Sequence, residues 1–410
     1  MPDQRGLRLL VLAHANRTAG PRYVALHLIQ ALAGLGPEFQ VIPVLPSRCG
    51  YEQMAERCAL QPVWFAQGRS RAKRLFFDTI VLPRIARRLR PDAILSLGSM
   101  GLQRPPAPQA ILVQDPHFVY SGWHHGDMVM AERVRYFVQR RQLRSAIARS
   151  CLVYGQTPLM LEWLRKTLDL DGRLKVLPKC VAPPSMGADI DTGAAGVLEA
   201  HADRFRLVCL CRYYTHKNLE IICDAFEQHG GRLEGAVVFL TVSADHHPHA
   251  GRLLRRIERS GLSNRIVNLG PISEGAIPDC LARCEGLLFP TRMESFSGTY
   301  LDAMQAGLPI LTSDLDFAHE VCGDAAAYFD PTSAQGMAEA IVRLRCDPSL
   351  RCHLAAAGRE RLRRVYPQSW SEVAAQVVAD LQAYVRVGCS PIRAPVQPAC
   401  ADRSGPGGSP

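Results

Sequence analysis

Glu294 and Asp302 stand eight positions apart around a turn of small residues, Ser295-Phe-Ser297-Gly298-Thr299. The stretch before the turn, Gly286 to Pro290, is apolar enough for a buried strand. A helix is expected from about Ser297 to Gln305, stopped by Gly307 and followed by a second apolar strand, Pro309 to Ser313. A turn that feeds small residues into a helix start is an anion site, because unpaired N–H groups and the helix dipole point at the ligand. With one carboxylate before the helix and one inside it, the pattern suits a ligand with phosphates in the middle and hydroxyls at both ends. Arg212 and Lys217 lie five residues apart after the apolar run Phe205 to Cys211. At the end of a strand both can reach a diphosphate. Read alone, they fit two surface bases on a loop better. A parallel sheet would bring both turns to one edge, and that links the four residues.

The elements that must hold these residues alternate. Leu7 to His14 is a near-continuous apolar run, as in a parallel strand covered on both faces. A turn, Ala15 to Gly20, leads to Pro21 as a first helical residue and a helix over Tyr23 to Ala33. Phe39 to Leu45, Asp92 to Leu97, Gln109 to Gln114, Cys151 to Tyr154 and Leu174 to Leu177 read as strands. The helices between them are Arg71 to Leu89, kinked at Pro83, then Met128 to Ile147 and Pro158 to Leu168. Residues 181–199, rich in Gly, Pro and Ala, lack periodicity and mark a boundary. The alternation then restarts, and it closes with a helix from Ser369 to Val385. Two such series predict two doubly wound parallel sheets, with ligands beyond the carboxyl ends of the strands. The domains are expected at 1–182 and 200–367, with a disordered tail at 389–410.

At 410 residues the chain exceeds one comfortable core, and 47% hydrophobic residues exclude a disordered protein. No apolar run is long enough to span a bilayer. Leu7 to Ala13 reads as a first strand and not as a signal core, so a non-secreted, cytoplasmic protein is expected. The 14 cysteines are scattered, many within apolar runs, and neither Cys209/Cys211 nor Cys280/Cys284 has the partners of a metal site. The net charge of +10 is uneven: Arg69 to Arg90 holds eight bases against Asp78 alone, and Glu132 to Arg149 holds six against Glu132. Both stretches read as solvated helix faces or as a basic amphipathic surface for anionic lipid headgroups. No nucleic-acid recognition motif accompanies the charge.

Arg212 and Lys217, followed by Pro290-Thr-Arg-Met-Glu294-Ser-Phe-Ser-Gly-Thr-Tyr-Leu-Asp302-Ala-Met-Gln-Ala-Gly307-Leu-Pro309, resemble the retaining glycosyltransferases of family four, which have the GT-B fold. The resemblance is specific in the second half and looser over residues 7–385. It implies sugar transfer from a nucleotide-sugar donor, a UDP or GDP sugar, to a sugar or lipid-linked acceptor, without a metal or other cofactor. Carried over by position, Arg212 and Lys217 would hold the donor diphosphate and Glu294 the sugar hydroxyls. Asp302 would take the ribose hydroxyls, and N–H groups of Ser297, Gly298 and Thr299 would add to the phosphate site. Gly20 resembles the first-domain loop near donor and acceptor, His117 the histidine beside the transferred sugar, and Ile272 lies in the backbone expected to select the base. In this chain Ser295 and Ser297 replace glycines, Asp302 replaces a second glutamate, and Gly20 stands where a glycine pair is usual. The resemblance further implies a cell-envelope or exopolysaccharide role at the inner face of the membrane. Two other readings stand beside it: a catalytically weak nucleotide-sugar-binding scaffold, and an epimerase or phosphorylase on the same fold.

Overall fold

The computed structural model describes residues 7–17, 19–66, 71–118, 130–168, 173–180 and 191–387. The first sheet contains β1 (Leu7–Leu12), β2 (Phe39–Pro46), β3 (Val63–Phe65), β4 (Ala93–Ser96), β5 (Gln109–Leu112), β6 (Leu152–Gly155) and β7 (Leu174–Val176). The second contains β8 (Phe205–Cys209), β9 (Ala236–Leu240), β10 (Ile266–Asn268), β11 (Gly286–Phe289), β12 (Ile310–Ser313) and β13 (Ala326–Phe329). Every pairing is parallel, in the orders β3-β2-β1-β4-β5-β6-β7 and β10-β9-β8-β11-β12-β13. These are the two doubly wound sheets expected from the alternation. The strands β4, β5, β6, β9, β11 and β12 are buried along their whole length because helices cover both faces.

The first domain's helices are α1 (Ala19–Ala33), α2 (Glu52–Arg57), α3 (Arg71–Phe76), α4 (Leu82–Leu89), α5 (Met130–Ile147) and α6 (Pro158–Leu168). In the second, α7 (Thr192–Glu199), α8 (Glu220–His229), α9 (Pro248–Arg259) and α10 (Ile277–Ala282) precede α11 (Gly298–Ala306) and α12 (Asp316–Cys322). The chain then runs through α13 (Ala334–Cys346), α14 (Pro348–Val365) and α15 (Trp370–Val387). The last helix returns to the first domain, where Trp370, Val373, Ala374, Val377, Val378 and Leu381 join Leu9, Val11, Leu28, Leu95 and Tyr154 in one core. The Tyr154 hydroxyl donates to Asp380 at 2.8 Å, and Lys175 pairs with the same carboxylate at 2.5 Å.

Several sequence expectations need correction. The break in the Arg71–Leu89 helix is not a kink at Pro83 but a π-helical turn over Phe77–Val81, with Pro83 in the first turn of α4. The wider turn accommodates a ring that would otherwise meet the carbonyl four residues back. Helix α1 begins at Ala19, so Gly20 lies in its first turn and not in a loop. Pro21 is tolerated there because first-turn N–H groups have no intrahelical acceptor. The stretch 181–199 is not wholly irregular, since Asp191 caps α7 by accepting from the Gly193 N–H at 3.1 Å. Residues 181–190 and the tail 389–410 lie outside the described residues. The short elements α2, β3, α12 and β13 escaped the sequence reading.

Candidate active site at the domain interface

The second sheet changes winding direction once, between β8 and β11, where Leu207 lies opposite Gly286 and Val208 opposite Leu287. Connections leaving such a strand pair run to opposite faces and open a crevice beyond the carboxyl ends. Arg212 and Lys217 follow β8, Glu294 follows β11, and Asp302 lies in α11. The structure therefore gathers the four around one edge.

The two loops are tied together. The turn Thr215–Lys217 ends at Asn218, whose backbone is left-handed at φ 57°. The Asn218 amide donates to the carbonyls of Pro290 at 3.1 Å and Pro331 at 2.9 Å. The His216 carbonyl accepts from the Arg292 N–H at 2.7 Å, and the Thr291 hydroxyl oxygen lies 3.2 Å from it. Thr299 adds a longer bond to the Leu210 carbonyl, at 3.4 Å.

Within this frame Lys217 and Glu294 form an ion pair, with side chains 11% and 10% exposed. Glu294 also accepts from the Thr291 hydroxyl at 3.1 Å, and the Lys217 ammonium lies 4.6 Å from the centre of the Phe289 ring. Burial works against the lysine charge, but the Glu294 carboxylate outweighs it and holds the ammonium's pKa above its ordinary value. Arg212 is half-buried and, among the described residues, forms no hydrogen bond or ion pair. On the loop after β8, Lys217 is thus neutralised and Arg212 is available.

Ser297 precedes α11 with extended backbone, and its hydroxyl makes no capping hydrogen bond. The N–H groups that open α11 are left for a ligand. Asp302 is held above the ordinary carboxylate range by burial, an effect that the charge of Lys179 reduces. No motif singled out Lys179.

The first domain closes over this edge. Ser295 donates its hydroxyl to the Gln114 carbonyl beyond β5 at 2.5 Å, so the serine that replaces a glycine forms a bond between domains. His117 lies in the turn Pro116–Phe118, its ring 5.6 Å from that of His216 and 4.4 Å from that of Tyr136. Arg22 of α1 pairs with Glu274 at 2.9 Å. That contact brings the Gly20 segment close to the loop holding Ile272, which packs on the second core. Thr291, Asn218, Arg22 and the bonding role of Ser295 were not found by sequence reasoning. Only Thr291 carried a signal, as a hydroxyl three residues before Glu294.

Residues 204–347 match the family model described as "Glycosyl transferases group 1". The O-antigen chain mannosyltransferase B of Escherichia coli is 26% identical over 126 residues, 31% of this chain and 32% of that protein. The phosphatidyl-myo-inositol mannosyltransferase of Mycolicibacterium smegmatis is 37% identical over 87 residues, 21% of this chain and 22% of that protein. This chain thus spans a third or less of the length of these two relatives. Two solved structures share the architecture over their whole length. Sucrose-phosphate synthase from Thermosynechococcus elongatus superposes with a TM-score of 0.73 at 16% identity, over 93% of this chain and 100% of its own. Anabaena HepE, crystallised with UDP and glucose, gives 0.69 at 16% identity, over 92% of this chain and 100% of its own. Residues 204–347 thus match a group 1 glycosyltransferase domain, and the two-domain chain has the GT-B fold.

Proposed function

We propose that this chain is a retaining glycosyltransferase of the family-four type. In this reading it moves a sugar from a UDP or GDP sugar to a sugar or lipid-linked acceptor without a metal ion. The observation that carries the reading is the meeting of Arg212, Lys217 and Glu294 with the uncapped start of α11 at the winding reversal of the second sheet. A departing diphosphate needs positive charge, and two side chains with a helix end supply it from fixed positions. Donor entry exchanges partners: the Lys217 ammonium leaves Glu294 for phosphate, and the freed carboxylate takes sugar hydroxyls. Asp302 accepts from the ribose, and His117 faces the same space from the first domain. Domain closure excludes water, so the acceptor hydroxyl attacks instead. In a front-face mechanism the leaving phosphate takes the acceptor proton, which gives retention without a protein nucleophile.

The named activities of the two relatives, on an O-antigen chain and on phosphatidyl-myo-inositol, favour a cell-envelope glycan or lipid-linked acceptor. The UDP and glucose in the HepE crystal favour a uridine donor. Among the described residues no helix is long and apolar enough to cross a membrane. Peripheral binding at the inner face is the matching expectation, and α5 has a surface for it. Met130 and Phe137 are 70% and 71% exposed, and Val134 and Val138 also face outward at helical spacing. Exposed Arg133, Arg141 and Arg144 lie on the same helix.

The test is thermal stabilisation in EDTA by UDP, GDP, ADP and dTDP, followed by transfer from the matching nucleotide sugars. One nucleotide is expected to stabilise by about 2.7 kcal/mol at a hundred times its dissociation constant. The shift should be lost in Arg212→Ala, and NMR of the product should show the donor's anomeric configuration. No stabilisation by any of the four refutes the reading.

A further inference from the structure

Lys179 follows β7 and belongs to the first domain's last described segment, yet its side chain ends in the second domain. It is 9% exposed. A Cβ built on Gly298, the first residue of α11, would lie 1.7 Å from the Lys179 Nζ, 2.9 Å from Cε and 3.4 Å from Cδ. The ammonium therefore lies directly against the opening turn of that helix. Gly298 has no positive φ, so what its missing side chain provides here is room for the lysine end, which a Cβ would push aside. The Tyr23 ring of α1 covers the ammonium from the other side, 4.3 Å away.

This is an unfavourable place for a cation. The positive end of the helix dipole faces it, and burial removes the water that would solvate it. Two acids, Asp302 and Glu274, attract it without fully offsetting the cost of burial. Glu274 pairs with Arg22 instead, and Asp302 lies beyond ion-pair distance. Among the described residues the Lys179 ammonium forms no hydrogen bond or ion pair. A buried unpaired cation and the uncapped N–H groups of a nine-residue helix converge on one spot. Only an anion answers both demands.

Building on the donor reading above, we propose that Lys179 is a third cation of the donor site, gripping the diphosphate from the first-domain side. The balance of charge supports it. Before a donor arrives Lys217 is paired with Glu294, so Arg212 and Lys179, one from each domain, meet the diphosphate first, and the Lys217 ammonium joins them once it exchanges partners. Because Lys179 comes from the first domain, a bound diphosphate ties the two domains together through the ligand. A nucleoside without phosphates gains nothing from this residue.

The experiment compares wild type, Lys179→Met and Lys179→Arg by thermal shift in EDTA, with UDP, GDP, ADP and dTDP and with the corresponding nucleosides. For the nucleotide that stabilises wild type, Lys179→Met should weaken binding roughly tenfold to a hundredfold, the usual worth of a charge-assisted contact. Nucleoside binding should not change, and Lys179→Arg should keep most of the diphosphate affinity. The ligand-free melting temperature of Lys179→Met should equal or exceed that of wild type, since an uncompensated charge is removed. Wild-type diphosphate affinity in Lys179→Met overturns the inference and leaves the donor reading standing. A lower ligand-free melting temperature with equal losses for nucleoside and nucleotide also overturns it, because that pattern marks a structural lysine. If no nucleotide binds wild type, the donor reading falls and the inference falls with it.

Discussion

Glu294→Gln and Lys217→Met should each destabilise the ligand-free second domain, and the two together should not. Both side chains are about nine-tenths buried, so each single change leaves a charge in a medium that solvates it poorly. Removing one partner of a buried pair costs about 3–5 kcal/mol. The surroundings reduce this on each side. In Lys217→Met the Glu294 carboxylate keeps the Thr291 hydroxyl, and in Glu294→Gln the ammonium keeps the Phe289 ring, each worth about 1 kcal/mol. Each single variant should then lose about 2–4 kcal/mol. The double variant buries two neutral groups and should fall within about 1 kcal/mol of wild type, so the coupling energy, the sum of the two single losses less that of the double, is about 5–6 kcal/mol. The pair lies wholly within the second domain, so a readout local to that domain is the sharpest. Hydrogen exchange at β8 and β11 amides reports the second domain directly. Their protection should drop about a hundredfold in each single variant and recover in the double. Additivity of the two single effects to within about 0.5 kcal/mol would show that the pair is solvated in solution and would refute the exchange of partners proposed for donor entry.

Two further outcomes are expected. His27 stacks on Trp370, at 5.9 Å and 15° between planes, and its pKa is pushed down to about 4 by burial and by the charges of Lys179 and Arg22. The unfolded chain takes that proton near pH 6.5, so first-domain stability should be full above pH 6.5 and decline as pH falls toward 4. Urea unfolding followed by tryptophan fluorescence at pH 7 and 5 should show the loss, and a His27→Gln variant should show a shallower one. An equal loss in the variant assigns the acid sensitivity elsewhere. For the membrane surface, Met130→Ser with Phe137→Ser should cut co-sedimentation with anionic vesicles several-fold, and salt should weaken what remains. Unchanged sedimentation of this double variant removes α5 from the binding face.

The architecture was legible because its strands are continuous apolar runs separated by helical spacing, which a one-dimensional reading detects. Where the signal is short it failed. Ala326–Phe329 is a four-residue strand on the edge of the second sheet, and Val63–Phe65 has only three. The break near Pro83 was legible as a break but not as a π turn, because a proline marks that a helix is interrupted and not how the backbone absorbs it. In the site, residue types and spacing pointed to Arg212, Lys217, Glu294 and Asp302. What they do to one another could not be read. That Lys217 and Glu294 neutralise each other follows from loop contacts made by Asn218 and Thr291. Lys179 carried no signal at all, because a lone base in Leu-Pro-Lys-Cys becomes informative only when the domains are folded together.

Helix α15 comes last in the described chain yet completes the first domain. On a ribosome the strands from β1 to β7 emerge first but lack the helix that covers Val11, Leu28 and Tyr154, so their apolar face stays open while the second domain is made. The order of completion is therefore the reverse of the order of synthesis. A chain interrupted anywhere between 366 and 379 would carry a finished second domain beside an unsealed first one, with the Asp380 partner of Tyr154 and Lys175 missing. Quality control by chaperones and proteases would then fall on the N-terminal half for a fault at the other end.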